Sequence, residues 1–465
     1  MRAFLVYIPY FIAISYSSTP SLSYWIAWFG SWVILLGSFT GVISEKPKDL
    51  TFFEQIFRPF IFTQVYFVGY NCLTSIFYFA HLNGYVFLEK IDMDITAYDA
   101  QQIAICQQYY VLAHAAFVHG LIILLPKYDT IRQKNKSVID TDLLIKIVIG
   151  VIMLSSIIKL SGVFSAINGI CDVLRNIATT LLVVISFKEK KKILLSLCLF
   201  IGSITLAVVS GMKGEIILIL ILLTFNLFSH YKIATIILAI GLFNVIGYIP
   251  ILSENIRKQT WFDAQGTVWK ALELTYKEIT EEKTLDELAT KKEKQWLLLT
   301  YRVTEAAAFT TYMEHVPHKR DFYGLEIIKD AFMGLIPRGI RPDGKSIDET
   351  AMERAFEAGA LDRFIGAGGT SAKPAAIADA YLVNGAISIL IFFFIYGFIA
   401  TSMSIVCEKY FGGYTFGTVI IYNSCFSVFW IGGCTENMVV SIFYALIATG
   451  LFYLLATYFK LFQPK

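Results

Sequence analysis

Apolar runs of about 18 to 25 residues recur along the chain, separated by short charged stretches, and each such run can cross a bilayer core as a helix. The segments that read as spans are Ala3–Tyr16, Tyr24–Ile43, Phe60–Ala80, Cys106–Leu125, Leu143–Leu160 and Val173–Phe187. They continue with Ile193–Val209, Ile216–Phe228, Ile233–Leu252, Ala380–Val406, Tyr414–Ile431 and Val439–Phe459. This pattern predicts an all-α polytopic membrane protein of about twelve transmembrane helices. Helices are required because lipid offers no partner to a bare N–H or C=O.

Lysine and arginine in the short connections set the orientation. "KEKKK" (Lys188–Lys192), "KYDTIRQKNK" (Lys127–Lys136), Lys46, Lys48, Lys232, Lys409, Lys460 and Lys465 all fall on one side of a twelve-span layout. That side reads as cytoplasmic and takes both termini with it. The N-terminal "MRAFLVYIPYFIAISYSS" reads as an uncleaved first span, because a second apolar run follows almost at once. The opposite face then receives "SGMKGE" (Ser210–Glu215), the approach to Asp172 and Arg175, "GGCTEN" (Gly432–Asn437) and one long stretch, Ser253–Ala378.

The chain therefore divides into nine N-terminal spans (1–252), a large outer loop (253–378) and three C-terminal spans (379–465). A loop of that length is a functional element or a small domain. Thr284 and Glu287 form a capping-box signature there. Leu285, Leu288, Trp296, Leu299 and Val303 make one apolar stripe, which predicts helices lying on or dipping into the membrane face.

Composition agrees: mean hydropathy is +0.62, 56% of residues are hydrophobic and 16% are charged. A net charge of +3 gives no support to a bulk nucleic-acid partner. The seven cysteines sit mostly in apolar runs with no close CxxC pair, as small packing residues do. No HExxH, Walker, GxSxG or EF-hand pattern occurs, and His315 and His318 read as surface residues.

The candidate chemistry collects on the outer side. Lys213, Arg257, Arg302, Arg338, Arg341 and Lys345 are all assigned there. In "GLIPRGIRPDGKS" (Gly334–Ser346), Pro337 and Pro342 stiffen the backbone that carries Arg338 and Arg341. Guanidinium forks on a stiff loop suit a phosphate; the same arginines could instead pair with Asp343 and Glu349 as a solvated loop. In "GAGGTSAKPAAIADAYLVNG" (Gly366–Gly385), Thr370 and Ser371 among glycines offer an anion nest. Asp379, at the entrance to the tenth span, is a functional carboxylate or a charge favoured by the helix dipole.

Taken in order, these elements resemble the O-antigen (Wzy-type) polymerases, the oligosaccharide repeat-unit polymerases. The resemblance runs from about Ser203 onward. It rests on "SGMKGE", "LLTYRVTEAAAF" with Arg302, "VPHKRDFYG", "IPRGIRPDGK" and "TSAKPAAIADAYLVNG". Arg341 stands where family members often carry tryptophan, and Asp379 stands at the usual glutamate position. The resemblance implies a GT-C-like glycosyltransferase in the bacterial inner membrane with a periplasmic site. It would move a growing glycan from undecaprenyl diphosphate onto a new lipid-linked repeat unit.

Arg338, Arg302, Lys213 and Arg341 would hold the diphosphate, with Arg257 and Lys345 beside them. Thr370, Ser371 and Tyr381 would line the substrate, and Asp379 or Glu305 would take the acceptor's proton. No cofactor and no metal are implied. The implied partners are lipid-linked repeat units and membrane lipids, with a chain-length regulator and a flippase. An O-antigen ligase, whose mark would be a dominant outer-loop histidine, and a lipid-linked-sugar transporter are the alternatives.

Overall fold

The computed structural model describes residues 2–44, 47, 49–51, 55–56, 58–87, 89–90, 95–128, 137–161, 167–209, 232–233, 236–237, 240, 252, 255–256, 258–259, 267–280, 293, 295–297, 299–336, 340–342, 344–360, 373–424 and 433–464. The helices among them are α1 (Ile8–Ser15), α2 (Pro20–Thr40), α3 (Pro59–Phe67), α4 (Ser75–Leu82), α5 (Ala97–Ile122), α6 (Thr141–Ser161), α7 (Asn168–Glu189) and α8 (Ile193–Val209). They continue with α9 (Val268–Thr280), α10 (Ala306–His315), α11 (Glu326–Met333), α12 (Ile347–Glu357), α13 (Ala376–Tyr410), α14 (Tyr414–Asn423) and α15 (Thr435–Tyr458). Val68–Leu73 and Leu299–Val303 are π-helical. The described strands are two or three residues long, in the hairpin Tyr85–Val86 with Glu89–Lys90 and the pair Ser137–Ile139 with Phe462–Pro464.

This is an all-α protein suited to a membrane. Among the described residues, α2, residues Thr141–Ile158 of α6, α7, α13 and α15 are long and apolar enough to cross one. The expected segment Ile216–Phe228, most of Ile233–Leu252, the last part of Tyr414–Ile431 and the Thr284–Glu287 box lie outside the described residues. Helix ends differ from the apolar runs where local chemistry decides them. Pro20 at the first turn starts α2 ahead of Tyr24, and left-handed Gly41 stops it before Ile43. Thr96 accepts the Asp99 N–H at 3.0 Å and starts α5 well before Cys106. The expected span Phe60–Ala80 is built from α3, the Val68–Leu73 π segment and α4. Leu299–Val303, expected on an α-helical stripe, is π-helical instead.

The chain forms two compact units, and both draw on all three of the stretches 1–252, 253–378 and 379–465. One contains residues 1–134, 289–406 and 428–443. Its axis is α5, buried continuously from Tyr110 to Val118, as a helix that is apolar all round must be. Part of α13 crosses it at very short range. A Cβ on Gly120 would come 2.1 Å from the Phe394 carbonyl oxygen, and one on Gly397 would come 2.1 Å from that of Phe117. The two glycines thus make reciprocal room for the facing backbone, the standard way membrane helices approach closely. Thr401 donates from Oγ1 to the Leu121 carbonyl at 2.8 Å and ties the same crossing.

The other unit contains residues 135–288, 407–427 and 444–465. Its α6 and α7 pack along their lengths, and α14 lies against α7, where Thr180 donates to Asn423 Oδ1 at 3.1 Å. Lys191 bridges to Asp142 at 2.9 Å beside the connection that follows α7.

Gly120→Ala and Gly397→Ala should each destabilise the protein by roughly 1–3 kcal/mol through overpacking. Gly150→Ala, where a Cβ meets nothing within 4 Å, should not. Thermal unfolding in one detergent would separate the two outcomes.

Candidate functional site

The clearest polar constellation is in the first unit and starts from a helix cap. Ser346 Oγ accepts the Glu349 N–H at 3.1 Å, while the Ser346 N–H donates to Glu349 Oε2 at 2.5 Å. This capping box starts α12. The helix turns Ala351, Arg354 and Ala355 inward, and the small alanines leave room for the arginine.

Arg354 is 3% exposed and spans two carboxylates that are 0% and 1% exposed. Its Nε donates to Asp379 Oδ1 at 2.9 Å and its Nη2 to Asp379 Oδ2 at 3.3 Å. Its Nη1 donates to Glu436 Oε1 at 2.5 Å and its Nη2 to Glu436 Oε2 at 2.7 Å. The Thr435 N–H, at the start of α15, donates to Asp379 Oδ2 at 2.7 Å, so the positive end of a helix supplements the single cation. Burial opposes the guanidinium charge, but Asp379 and Glu436 outweigh it and raise the arginine's pKa further. Lys373 pairs with Asp348 and adds a second tie between the approach to α13 and the first turn of α12.

Next to this cluster α13 is broken. Asn384 (φ −168°, ψ 45°) and Gly385 (φ 62°, ψ −139°) leave the helical conformation, and the positive φ suits glycine. The break frees the carbonyls of Leu382 and Val383. They accept the N–H groups of Tyr323 and Gly324, both at 3.0 Å. Ser388 Oγ accepts from the Asn384 N–H and donates to the Gly385 carbonyl, both at 2.9 Å. The Tyr381 hydroxyl donates to the Val316 carbonyl at 2.8 Å, and its ring lies 5.2, 5.5 and 5.6 Å from those of Tyr109, Phe309 and Phe322. Tyr323 reaches back toward α12: its hydroxyl is 3.4 Å from Glu357 Oε2, and Arg320, paired with Glu357, lies 4.0 Å over its ring.

Glu305 belongs to the same unit. It is half-buried just after the Leu299–Val303 π segment, and its carbonyl accepts the Phe309 N–H as α10 begins. Tyr70, in the Val68–Leu73 π segment, points its hydroxyl at Glu305 Oε1, 3.4 Å away. Single π turns inside helices are frequent at functional sites, and here two of them bracket one carboxylate. His81 holds the second one in place. Trp296 Nε1 can only donate, and it does so to His81 Nδ1 at 3.2 Å. The proton of neutral His81 is therefore on Nε2, 3.1 Å from the Tyr301 hydroxyl. Burial pulls the His81 pKa below the usual histidine value.

Several residues expected at a site find other partners. Both Asp379 oxygens are engaged in the buried cluster, which makes it an anchor rather than an accessible base. Arg341 donates to the carbonyls of Lys345 (2.5 Å), Gly334 and Ile336 (both 3.1 Å), so its fork closes its own loop. Lys345 pairs with Glu353 at 2.7 Å. A Cβ on Gly359 would come 2.8 Å from His315 Nδ1, so that ring is packed against main chain. Arg302 belongs to the second π segment, but its side chain, and all of Lys213, Arg257, Arg338, Thr370 and Ser371, lie outside the described residues. Among the described residues, no group of three or more His, Cys, Asp or Glu is arranged to hold a metal ion.

Arg354, Glu436, Tyr70 and His81 were not singled out in the sequence. The Ser346/Glu349 capping signature and the alanine face around Arg354 were the available signals.

Apolar helices of spanning length define a helical membrane protein. Within that class, the chain belongs to the family described as Domain of unknown function (DUF8712), whose model matches residues 8–464. No curated protein and no solved structure matches it.

Arg354→Ala should cost about 3–5 kcal/mol, because it leaves two carboxylates buried without a cation. Arg354→Lys should recover only part of that loss, since an ammonium cannot fork. Unfolding midpoints of the three proteins in detergent would read both effects. The depressed His81 pKa gives a pH signature. Below about pH 6.5 the unfolded chain takes up a proton at this position before the folded one does. Stability contributed by neutral His81 is therefore complete above that pH and lost as pH falls. The unfolding temperature should drop less steeply on acidification in His81→Gln than in the native protein.

Proposed function

We propose that the chain is a membrane glycosyltransferase of the repeat-unit polymerase kind. In this reading it is GT-C-like, with twelve spans, both termini cytoplasmic and its site on the periplasmic side of the bacterial inner membrane. One observation supports it most directly: the sequence elements that carry the resemblance are tied to one another. Tyr323 and Gly324 of "VPHKRDFYG" bond to Leu382 and Val383 of "AYLVNG", and Tyr381 bonds to Val316. Arg354, nine residues after the end of "IPRGIRPDGK", clasps Asp379.

The substrates are two lipid-linked glycans. A hydroxyl of the acceptor repeat unit attacks the anomeric carbon of the donor glycan. The bond from that carbon to the diphosphate oxygen breaks, and undecaprenyl diphosphate leaves with the electron pair. Charge then grows on phosphate oxygens, where fixed cations lower the barrier most. Arg338 and Arg302 are assigned to that charge, with Lys213. Arg341 has a structural part, because its Nη1 and Nη2 donate to carbonyls of its own loop. Glu305 is assigned as the base: it is half-buried rather than sealed, and Tyr70 orients it.

The test is reconstitution with one substrate, a native undecaprenyl-diphosphate oligosaccharide. A ladder of product lengths is expected. Glu305→Gln should slow it by about 100-fold or more, and Arg338→Ala should abolish it with insertion intact. Asp379→Asn should lower the folded yield instead of the turnover per folded molecule. Absence of a ladder from the native protein with verified substrate would falsify the polymerase reading. A native ladder from folded Glu305→Gln would remove only the base assignment.

A further inference from the structure

We propose that α9 is an interfacial membrane helix, with Trp269, Leu272 and Tyr276 set into the boundary between the headgroups and the acyl chains of the bilayer. This does not depend on the glycosyltransferase reading.

With 13 residues, α9 is roughly 20 Å long, short of the ~30 Å needed to cross the hydrocarbon core. Its surface divides into three stripes at 3.6 residues per turn. Ala271 and Thr275 are buried in their own unit, where Asn255 Nδ2 donates to Thr275 Oγ1 at 3.1 Å. Trp269, Leu272 and Tyr276 lie on a second stripe, 82%, 36% and 69% exposed. Lys270, Glu273 and Lys277 form the third, with Lys277 paired to Glu273 at 2.8 Å. The Trp269 and Tyr276 rings therefore stand largely exposed on this arc.

Three observations identify lipid as what covers them. The same unit carries α6 and α7, both of spanning length, and Met153, Leu154 and Ile157 of α6 are 58%, 61% and 60% exposed, as lipid-facing residues are. The exposed residues on α9 are a tryptophan and a tyrosine, the side chains that favour the membrane–water boundary. The stripe beside them, with Lys270 and Lys277 against Glu273, is net positive, as a surface facing anionic headgroups favours.

Tryptophan quenching in nanodiscs holding the full chain tests this. There are seven tryptophans, so the Trp269 component is taken as the difference between the native protein and Trp269→Phe. It should lose most of its emission to phospholipids brominated near the headgroup end of the acyl chain, and little to aqueous iodide. A second pair of variants works in the otherwise native chain. Tyr276→Trp should add a component quenched by the brominated lipid, and Glu273→Trp one quenched by iodide. Iodide quenching of the Trp269 and Tyr276→Trp components, without quenching by the brominated lipid, overturns the proposal. So does protection from both quenchers in a nanodisc holding two copies, which would make the cover a second chain.

Discussion

The joining of α12 to the starts of α13 and α15 depends on one buried guanidinium. Arg354 gains little from the alanine face that carries it inward, and an isolated cation at that depth would be strongly unfavourable. Only with Asp379 and Glu436 both in place is its charge compensated, and only with the Thr435 N–H is the second Asp379 oxygen fully used. The partners lie 25 and 82 residues away along the chain, so α12 and the starts of α13 and α15 take up their positions together. A buried ionic group of this kind specifies an arrangement more than it adds net stability.

Among the described residues of this unit, three departures from regular α-helix are held by partners elsewhere in the chain. The Val68–Leu73 and Leu299–Val303 segments widen to π turns, and α13 breaks at Asn384–Gly385. Each departure is stabilised from outside its own element: Tyr70 by Glu305, Tyr301 and Trp296 by His81, and the freed carbonyls of α13 by Tyr323 and Gly324. Irregular backbone is tolerated in membrane proteins where other protein segments satisfy it. Two of them carry Arg302 and Tyr70, to which the glycosyl-transfer reading gives roles, where geometry more exact than a straight helix offers would be useful.

Much of the helical frame was legible in the sequence, because span length and apolarity are local properties. α2, α6, α7, α13 and α15 all begin within a few residues of the apolar runs that predict them, and caps such as Pro20 and Gly41 explain the offsets. The site was harder to read because its bonds are long-range. Asp379 stood out as a carboxylate at a membrane boundary, but nothing local announced that Arg354 and Glu436 would enclose it. Arg341 reads as a phosphate grip on a stiffened loop, yet a loop can satisfy its own carbonyls as readily as it can grip an anion. His81 and Trp296 are 215 residues apart, and a single sequence carries no signal that pairs them.

The join between Tyr323–Gly324 and Leu382–Val383 is written entirely in main chain. Replacing Tyr323 by alanine leaves its N–H in place, so side-chain scanning there passes over the contact, whereas Gly324, at φ 58°, is strained by any side chain. Proline, which lacks the N–H, deletes the bond at Tyr323; at Gly324 its fixed negative φ would also undo the turn. An ester in place of the amide deletes either bond without changing a side chain. Tolerance at Tyr323 toward other residues would therefore say little about how much of the fold rests on its N–H.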